Sequence, residues 1–266
     1  MTDIHPVSAD RHRGVKWIGN TKALFARSTT IAYLSAFELT QASLAFPLAF
    51  VQRENGWSLG AILGLLANQN LYVDISGNWI ARYMPAVLRG YPFIIGVQPN
   101  GEAILYIDES SDLLSKNLDG EVIICEDGSL TKRTTQIFQL LVKMSQGEAL
   151  LNSISNALSE CGLLEEWPIE IKADHETQKV SGLYRINESL LNSIDDTTYA
   201  SLRQNGAIGV AYAQIISMGN IEILGGLLQD RARNEAAERT RSAVTPMVIL
   251  PEDSSIEWDW SKVGKF

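Results

Sequence analysis

Residues 131–162, TKRTTQIFQLLVKMSQGEALLNSISNALSECG, decide the fold class, because their apolar side chains recur at a helical period. Side chains three or four residues apart lie on one face of a helix, so this pattern predicts a helix with one buried face. Gly147 lies midway, and glycine disfavours a helix interior, so the segment forms either one long helix or two shorter ones. Gly162 is the residue type that commonly ends a helix. The apolar positions are Ile137, Leu140, Leu141, Met144, Leu151, Ile154, Leu158 and Cys161.

The residues before this segment predict strands joined by short turns. Asn55-Gly56 is a strong hairpin signal between two apolar runs. Residues 98–101, Gln-Pro-Asn-Gly, are turn formers between two further runs. Short turns of this kind join antiparallel neighbours. The predicted strands are 29–34, 45–51, 59–66, 71–75, 93–97 and 103–107.

The residues after the helical segment predict a mixture of strands and short helices. Residues 169–172 alternate like a strand, and we expect them to pair with 180–186. Asn187 and the Asp195-Asp196 pair are helix N-cap residue types, and each precedes a short helix. Residues 207–216 are almost continuously apolar, which is typical of a strand buried on both faces. The whole pattern predicts an α+β fold: a largely antiparallel β-sheet, a packed central helical segment at 131–162 and short C-terminal helices.

Composition and charge narrow the functional classes. The 266 residues are 45% hydrophobic and 20% charged, with a net charge of −9, which excludes a wholly disordered chain. An acidic chain lacks the basic footprint of a general nucleic-acid binder, so we expect no nucleic-acid partner. Residues 1–100 nevertheless carry 8 Lys and Arg against 5 Asp and Glu. This charge division has two interpretations: regions that face different partners, or an acidic surface beside a more buried sheet.

The sequence carries no sign of membrane insertion or of conventional secretion. The N-terminal twenty residues are too polar for the apolar core of a secretory signal. The longest apolar runs fall well short of the roughly 18 residues that a membrane helix requires. We therefore expect no membrane span and a cytoplasmic location, with surface association by a signal-less export route left open.

Residue types that commonly carry catalysis or hold metals are scarce and poorly spaced. The three histidines, His5, His12 and His175, form no metal-binding motif, and Cys125 and Cys161 belong to no CxxC pair. Phosphate-binding glycine motifs and a nucleophile elbow are also absent from the sequence. We therefore predict no catalytic residue, no metal site and no cofactor.

The densest polar and aromatic stretch, residues 70–93, is the candidate binding region. Aromatic rings and planar guanidinium groups together suit a groove for an acidic peptide or a sugar. The competing interpretation is a corner of the core, in which aromatics fill the interior and arginines pair with nearby acids. The candidate binding residues from this stretch are Asn70, Trp79, Arg82, Tyr83, Arg89 and Tyr91.

Two further candidate binding residues lie outside this stretch. Asp108 directly follows the predicted strand 103–107, and its neighbour Glu109 points to the opposite face of the extended chain, so the two cannot form a catalytic pair. Asn220 follows the apolar run at 207–216, in a Ser-Met-Gly-Asn turn that would also suit an anion at a helix N-terminus.

The same residues carry a family resemblance. The order of Asn-Leu-Tyr-Val-Asp at 70–74, Gly-Asn-Trp at 77–79, Tyr-Met-Pro-Ala at 83–86 and Arg-Gly-Tyr-Pro-Phe at 89–93 resembles the bacterial SapC family. Later segments, among them Gly-Leu-Tyr-Arg-Ile at 182–186, follow in the family's order. The resemblance covers roughly residues 28–228. It implies an association with bacterial surface layers and supplies no established catalytic residues.

The resemblance also suggests a division of the chain. We predict an N-terminal polar arm at 1–27, a SapC-like α+β domain at 28–230 and a charged C-terminal extension at 231–266. That extension ends in an acidic tail with Trp258 and Trp260, which is either tucked against the domain or a docking peptide.

Two functional hypotheses follow. The first is a soluble, non-catalytic accessory protein that recognises a polypeptide or glycan partner in a bacterial envelope or surface-associated system. The second is an enzyme that acts on a peptide or aromatic metabolite, or a protein that presents such a substrate to a partner enzyme. A flavin-dependent halogenase-like protein is an example of that partner enzyme. The acid–base candidates of this second hypothesis would be Asp108, Glu109 and His175.

Overall fold

The structure is a computed structural model that describes residues 3–19, 22–98, 100–117, 119–173 and 176–243. Helices and antiparallel sheets both contribute substantially, which confirms the predicted α+β class. The strands are β1 (Ile4–Pro6), β2 (Lys16–Trp17), β3 (Ile31–Tyr33), β4 (Leu48–Arg53), β5 (Gly56–Ile62), β6 (Phe93–Val97), β7 (Ala103–Asp108), β8 (Leu114–Ser115), β9 (Glu121–Val122), β10 (Leu164–Glu166), β11 (Ile169–Ala173), β12 (Glu176–Val180) and β13 (Tyr184–Ile186). The α-helices are α1 (Ala9–His12), α2 (Leu39–Ser43), α3 (Ala86–Arg89), α4 (Lys132–Glu160), α5 (Glu188–Leu191), α6 (Asp196–Gln204), α7 (Ala207–Ser217) and α8 (Ile221–Ala243).

The main sheet has five antiparallel strands in the order β10-β13-β4-β5-β3. The β4–β5 hairpin turns at Glu54-Asn55, and Arg53 pairs with Gly56, so the Asn-Gly signal marks a real hairpin. The second predicted hairpin forms β6 and β7, and β1 adds to the other side of β7. Two smaller sheets, β8-β2-β9 and β11-β12, complete the strand pairing among the described residues.

Helix α4 packs against two hydrophobic clusters. Leu151 and Leu158 lie fully buried in the cluster that also holds Phe46 and Phe50 of the main-sheet region. Leu141, nearer the start of the helix, belongs to a second cluster around Phe93 and Ile107 of the β6–β7 sheet. The helix therefore ties the two sheets together through apolar burial, which is the main stabilising term in folding.

Helix α4 continues through Gly147 as one helix, and the glycine serves close packing. A Cβ at this position would lie 2.0 Å from Ser35 Oγ and 3.1 Å from the backbone nitrogen of Ala36. The glycine thus permits the turn at Ala36–Glu38 to approach the helix closely. Its role is packing against a distant segment, which a local helical pattern does not reveal.

The predicted strand at 207–216 is wrong, because these residues form helix α7. Its buried residues recur at a helical spacing, and the side chains between them are exposed or half-buried. A short, nearly continuous apolar run fits a buried helix as well as a buried strand, so the hydrophobic pattern alone does not separate the two. The buried positions are Ala207, Ile208, Val210, Ala211, Gln214 and Ser217.

Two smaller strand predictions also differ from the structure. Residues 71–75 form turns with a single bridge between Val73 and Trp79. The Asn70 side chain accepts from the Tyr72 backbone nitrogen, which a strand would pair, and the Asp74 side chain accepts from the Asn78 backbone nitrogen in the turn that follows. Residues 180–186 divide between two strands. Val180 ends β12, which pairs with β11, whereas β13 joins β10 and β4 in the main sheet.

The chain divides into two compact units, Met1–Leu228 and Gln229–Phe266. The first begins with β1, α1 and β2, formed by residues of the predicted polar arm. In the second unit the described residues continue α8 as far as Ala243, and Trp258 and Trp260 lie outside the described residues. The three-part division at 27 and 230 stays a prediction.

One helical run among the described residues, Ala207–Ala237, is long and apolar enough to cross a membrane by length and composition alone. Within the most apolar 18-residue stretch of this run, 39% is buried inside the fold. Core helices pass the same length and composition criteria, so this run does not decide between a core helix and a membrane span. The absence of a membrane span stays a prediction.

Candidate functional site

The candidate site is organised by a buried carboxylate. Glu38 is only 4% exposed, at the end of the turn Ala36–Glu38. Its Oε1 accepts a hydrogen bond from the backbone nitrogen of Ser35 at 3.0 Å. Its Oε2 accepts from the Tyr83 hydroxyl at 2.6 Å and from the backbone nitrogen of Ala86 at 2.8 Å. These bonds offset the cost of burying a carboxylate and attach the 83–89 segment to the turn.

Tyr83 links this carboxylate to an exposed cation. Arg89 Nη2 donates to the Tyr83 hydroxyl oxygen at 3.2 Å, and its guanidinium carbon lies 5.4 Å from the centre of the Tyr83 ring. Burial, and then the hydrogen bond to Glu38, raise the pKa of Tyr83 well above its usual value. The phenol therefore stays protonated at neutral pH and serves as the donor to Glu38.

Trp79 and Asn70 stabilise the interior of the same segment. The Trp79 indole donates to the Tyr83 carbonyl at 2.8 Å, and its ring packs against Phe46. Asn70 is fully buried; its amide donates to the Ala26 carbonyl and accepts from the Tyr72 backbone nitrogen, each at 2.9 Å. Both side chains thus have structural partners, as the core interpretation of the 70–93 stretch requires.

Exposed apolar side chains and cations lie on the segments that meet at this anchored interior. Phe37, Leu44 and Val87 are 56%, 56% and 52% exposed, which is high for large apolar side chains. Lys143 of α4 lies 4.8 Å from the centre of the Phe37 ring, and Arg82 donates to the Leu44 carbonyl. We call these side chains, together with Arg89, the cationic apolar surface. Its members are Phe37, Leu44, Arg82, Val87, Arg89 and Lys143.

Tyr91 and Asp108 form a second group. The Tyr91 hydroxyl donates to Asp108 Oδ2 at 3.3 Å, while Oδ1 accepts from the Ser110 hydroxyl and backbone nitrogen at 2.6 and 3.1 Å. Asp108 is 3% exposed, and the Tyr91 ring stacks on Phe25 at 4.2 Å. Burial, with a contribution from Asp108, raises the pKa of Tyr91. The structure therefore brings these two predicted residues together, in a closed hydrogen-bond network.

Glu109 faces a different set of partners. Arg11 holds both of its oxygens, at 2.8 and 2.9 Å, and His12 Nε2 lies 3.1 Å from Oε1. The Arg11 hydrogen bond lowers the pKa of Glu109 to about 2. One ligand atom each from Asp3, His5 and Glu109 lies within 4.8 Å of the other two. Carboxylate oxygens and imidazole nitrogens are donor types that hold metal ions. Because the guanidinium of Arg11 occupies both oxygens of Glu109, the arrangement already satisfies this carboxylate.

Asn220 connects distant parts of the fold. Its amide donates to the carbonyl of Ser43 at 2.8 Å and to that of Phe46 at 3.0 Å. The side chain therefore holds the turn between α7 and α8 against the end of α2.

Sequence reasoning missed the residue at the centre of the site. Glu38, Phe37 and Lys143 were not among the predicted residues. The spacing Ser35-x-x-Glu38 matches the pattern in which a glutamate side chain caps the start of a helical turn, and this signal pointed to Glu38. Phe37 and Lys143 meet only through tertiary packing, 106 positions apart in the sequence, so no local pattern identifies them.

Comparison with known proteins bears on the family alone. A family model described as SapC matches residues 7–224. A search of the curated proteins and one of the solved structures found no significant match.

Proposed function

The chain belongs to the SapC family, and from that premise we propose that it is a non-catalytic accessory protein that binds a polypeptide partner through the cationic apolar surface. The partner segment presents carboxylates to the three cations and places apolar side chains against Phe37, Leu44 and Val87. The setting is a bacterial envelope or surface-associated system, as the resemblance implies.

The observation that carries this proposal is the combination of exposed apolar area with cations over a fixed interior. Protein interfaces favour aromatic and arginine side chains at their centre, held in place before the partner arrives. Here Arg89 rests on Tyr83, and Tyr83 is fixed by the buried Glu38. Arranging these groups in advance lowers the entropy lost on binding.

Charge favours an acidic partner. Arg82, Arg89 and Lys143 place three positive charges on this surface, in a chain whose net charge is −9. An acidic segment would be repelled by the protein as a whole, so local attraction would select this surface. The same reasoning predicts that binding weakens as salt rises.

The enzyme hypothesis has less support. Asp108 and Glu109 are each held by partners within the fold. His175, its third candidate, lies outside the described residues. We therefore develop the binding hypothesis alone.

Two displayed peptide libraries test the proposal. Both contain twelve-residue peptides with the same apolar positions, and the remaining positions carry Asp and Glu in one library and Lys and Arg in the other. We expect the full chain to enrich acidic peptides. The affinity of an enriched peptide should fall at least about tenfold for Arg82→Glu and for Lys143→Glu, since each reverses a charge at the contact.

Arg203→Glu is the matched control, because Arg203 is exposed on α6 and has no side-chain partner among the described residues. It changes the net charge equally and should leave the affinity within about twofold. Enrichment of basic peptides, or an equal loss of affinity in all three variants, would overturn the proposed surface.

A further inference from the structure

A cleft of about 490 Å³ lies between the tip of the β4–β5 hairpin and helix α4. Its volume is in the range of small-ligand sites, roughly 300–1,000 Å³. It is lined by Gln52, Glu54, Asn55 and Trp57 of the hairpin and by Asn152 of the helix. Arg82 and Lys143 are not among its lining residues, so it is separate from the cationic apolar surface.

The aromatic side chain of the cleft is held in a fixed position. The Trp57 ring contacts Tyr184 edge-on, with 4.7 Å between ring centres, and the Trp57 backbone nitrogen donates to Asn156 Oδ1 at 2.7 Å. Gly56, at a φ of 117°, lets the hairpin tip approach α4, because a Cβ there would lie 2.6 Å from the same oxygen. The tryptophan is therefore positioned before any ligand arrives.

The polar side chains around Trp57 suit hydroxyl groups. Gln52 lies directly across the hairpin from Trp57, and Asn55 and Asn152 are close by in the cleft lining. None of these three amides has a side-chain hydrogen bond to another described residue. An amide both donates and accepts, as a sugar hydroxyl does, so each can form paired hydrogen bonds with a sugar.

The charges in the cleft disfavour an ionic ligand. Arg53 and Glu54 both line it, so the lining itself holds one positive and one negative charge. Arg53 is further engaged by Glu148 at 3.6 Å and by the Tyr33 ring at 4.3 Å. A ligand with many hydroxyl groups and no net charge complements such a lining best.

We infer that this cleft binds a neutral saccharide, with Trp57 against the apolar face of a sugar ring and the amides of Gln52 and Asn152 on its hydroxyl groups. This binding activity is additional to polypeptide recognition and uses a different part of the molecule. The protein would thus hold a polypeptide and a glycan at the same time.

The test uses maltotriose, cellotriose and chitotriose as neutral probes and a heparin disaccharide as the anionic probe. The indole ¹H–¹⁵N resonance of Trp57, assigned by its loss in Trp57→Phe, reports binding to the full chain. We expect at least one neutral trisaccharide to shift this resonance and the heparin disaccharide to leave it unchanged. No shift with any neutral probe at 10 mM, or a shift with the anionic probe alone, would overturn the inference.

Two amide variants locate the binding without depending on Trp57. Gln52→Ala and Asn152→Ala remove side chains that have no hydrogen bond within the described fold, so both should fold normally. Together they should weaken trisaccharide binding about tenfold, as the loss of two net hydrogen bonds implies. Asn192→Ala, an exposed amide on another part of the surface, is the matched control. Unchanged affinity in the double variant would place the saccharide elsewhere and overturn the inference, whereas Arg82→Glu should leave saccharide binding intact.

Discussion

The Tyr83 hydroxyl donates a 2.6 Å hydrogen bond to the buried carboxylate of Glu38, joining two segments 45 residues apart. The same carboxylate oxygen accepts from the backbone of Ala86, where α3 begins. This contact fixes the segment that carries Arg82, Val87 and Arg89. The proposed binding surface therefore depends on a buried ionic group that is itself inaccessible to a partner.

Removing this phenol should destabilise the protein. In Tyr83→Phe one oxygen of the buried Glu38 loses the hydroxyl donor of Tyr83, and hydrogen bonds to charged groups contribute about 1.5–3 kcal/mol. We expect the free energy of unfolding, measured by urea denaturation, to fall by about that amount. Tyr199→Phe, at an exposed tyrosine, is the control and should change it by less than about 0.5 kcal/mol. Equal effects of the two variants would contradict the role assigned to Glu38.

Substituting Gly147 should destabilise the protein even though alanine favours helices. The new Cβ of Gly147→Ala would lie 2.0 Å from Ser35 Oγ, 2.8 Å from the Phe37 ring and 3.1 Å from the Ala36 backbone nitrogen, so rotating the serine alone does not relieve the clash and the turn at Ala36–Glu38 must shift. Overpacking costs about 1–3 kcal/mol, and a clash that involves backbone belongs toward the upper end of that range, which exceeds the roughly 1 kcal/mol gained in helix propensity. Thermal and urea denaturation should therefore show a net loss of stability.

Gly209→Ala provides the opposite case in helix α7. A Cβ at Gly209 meets nothing within 4 Å, so only the propensity gain applies. This variant should be more stable than the wild type by about 0.5–1 kcal/mol. A stabilised Gly147→Ala would show that the close approach to Ser35 is not a constraint.

Local patterns in the sequence predicted much of the fold but little of the site. The Asn55-Gly56 turn signal and the helical repeat of apolar residues in α4 are local patterns, and the structure contains both the hairpin and the helix. The apolar run at 207–216 was misread because burial on a helix face and burial in a sheet select the same residue types.

The site escaped prediction for a different reason. Most of its defining contacts join residues far apart in the sequence: Glu38 with Tyr83, Lys143 with Phe37, Asn220 with Ser43. The composition of the 70–93 stretch drew attention to Trp79 and Tyr83, yet it could not distinguish a ring that anchors the interior from one that meets a partner. Only tertiary packing separates these two roles.

Acid should remove the contribution of Glu109 to stability. Because the Arg11 hydrogen bond lowers the pKa of Glu109 from 4.5 to about 2, the folded state binds this proton less readily than the unfolded state. The stabilisation is complete above pH 4.5 and is lost as the pH falls from there toward 2. We expect wild type to be more stable than Arg11→Ala at pH 6, and the difference to shrink steadily between pH 4.5 and 2.5.

The control for this pH dependence is Arg13→Ala. Arg13 is exposed, and its side chain has no partner among the described residues. Its effect on the melting temperature should therefore be small and independent of pH. A wild-type advantage over Arg11→Ala that grows on acidification would have the wrong sign for a lowered carboxylate pKa and would refute the assignment.

The Asn70→Ala variant separates structural from binding roles within the 70–93 stretch. The substitution leaves the buried Tyr72 backbone nitrogen without its acceptor, which costs about 1–3 kcal/mol, and it removes a bond to the Ala26 carbonyl, which keeps its bond from the Thr29 backbone nitrogen. We expect a large drop in the free energy of unfolding, whereas the folded fraction should bind the acidic peptide with unchanged affinity. Arg82→Glu should do the reverse: the proposal places its charge against the partner, and the hydrogen bond to the Leu44 carbonyl that it loses lies at an exposed side chain, where substitutions change stability by only about 0.5 kcal/mol. Peptide titrations at a temperature where both variants are folded, alongside urea denaturation, measure the two effects separately. A weakened peptide affinity in folded Asn70→Ala would show that this buried amide also shapes the surface, and a destabilised Arg82→Glu would assign Arg82 to the fold.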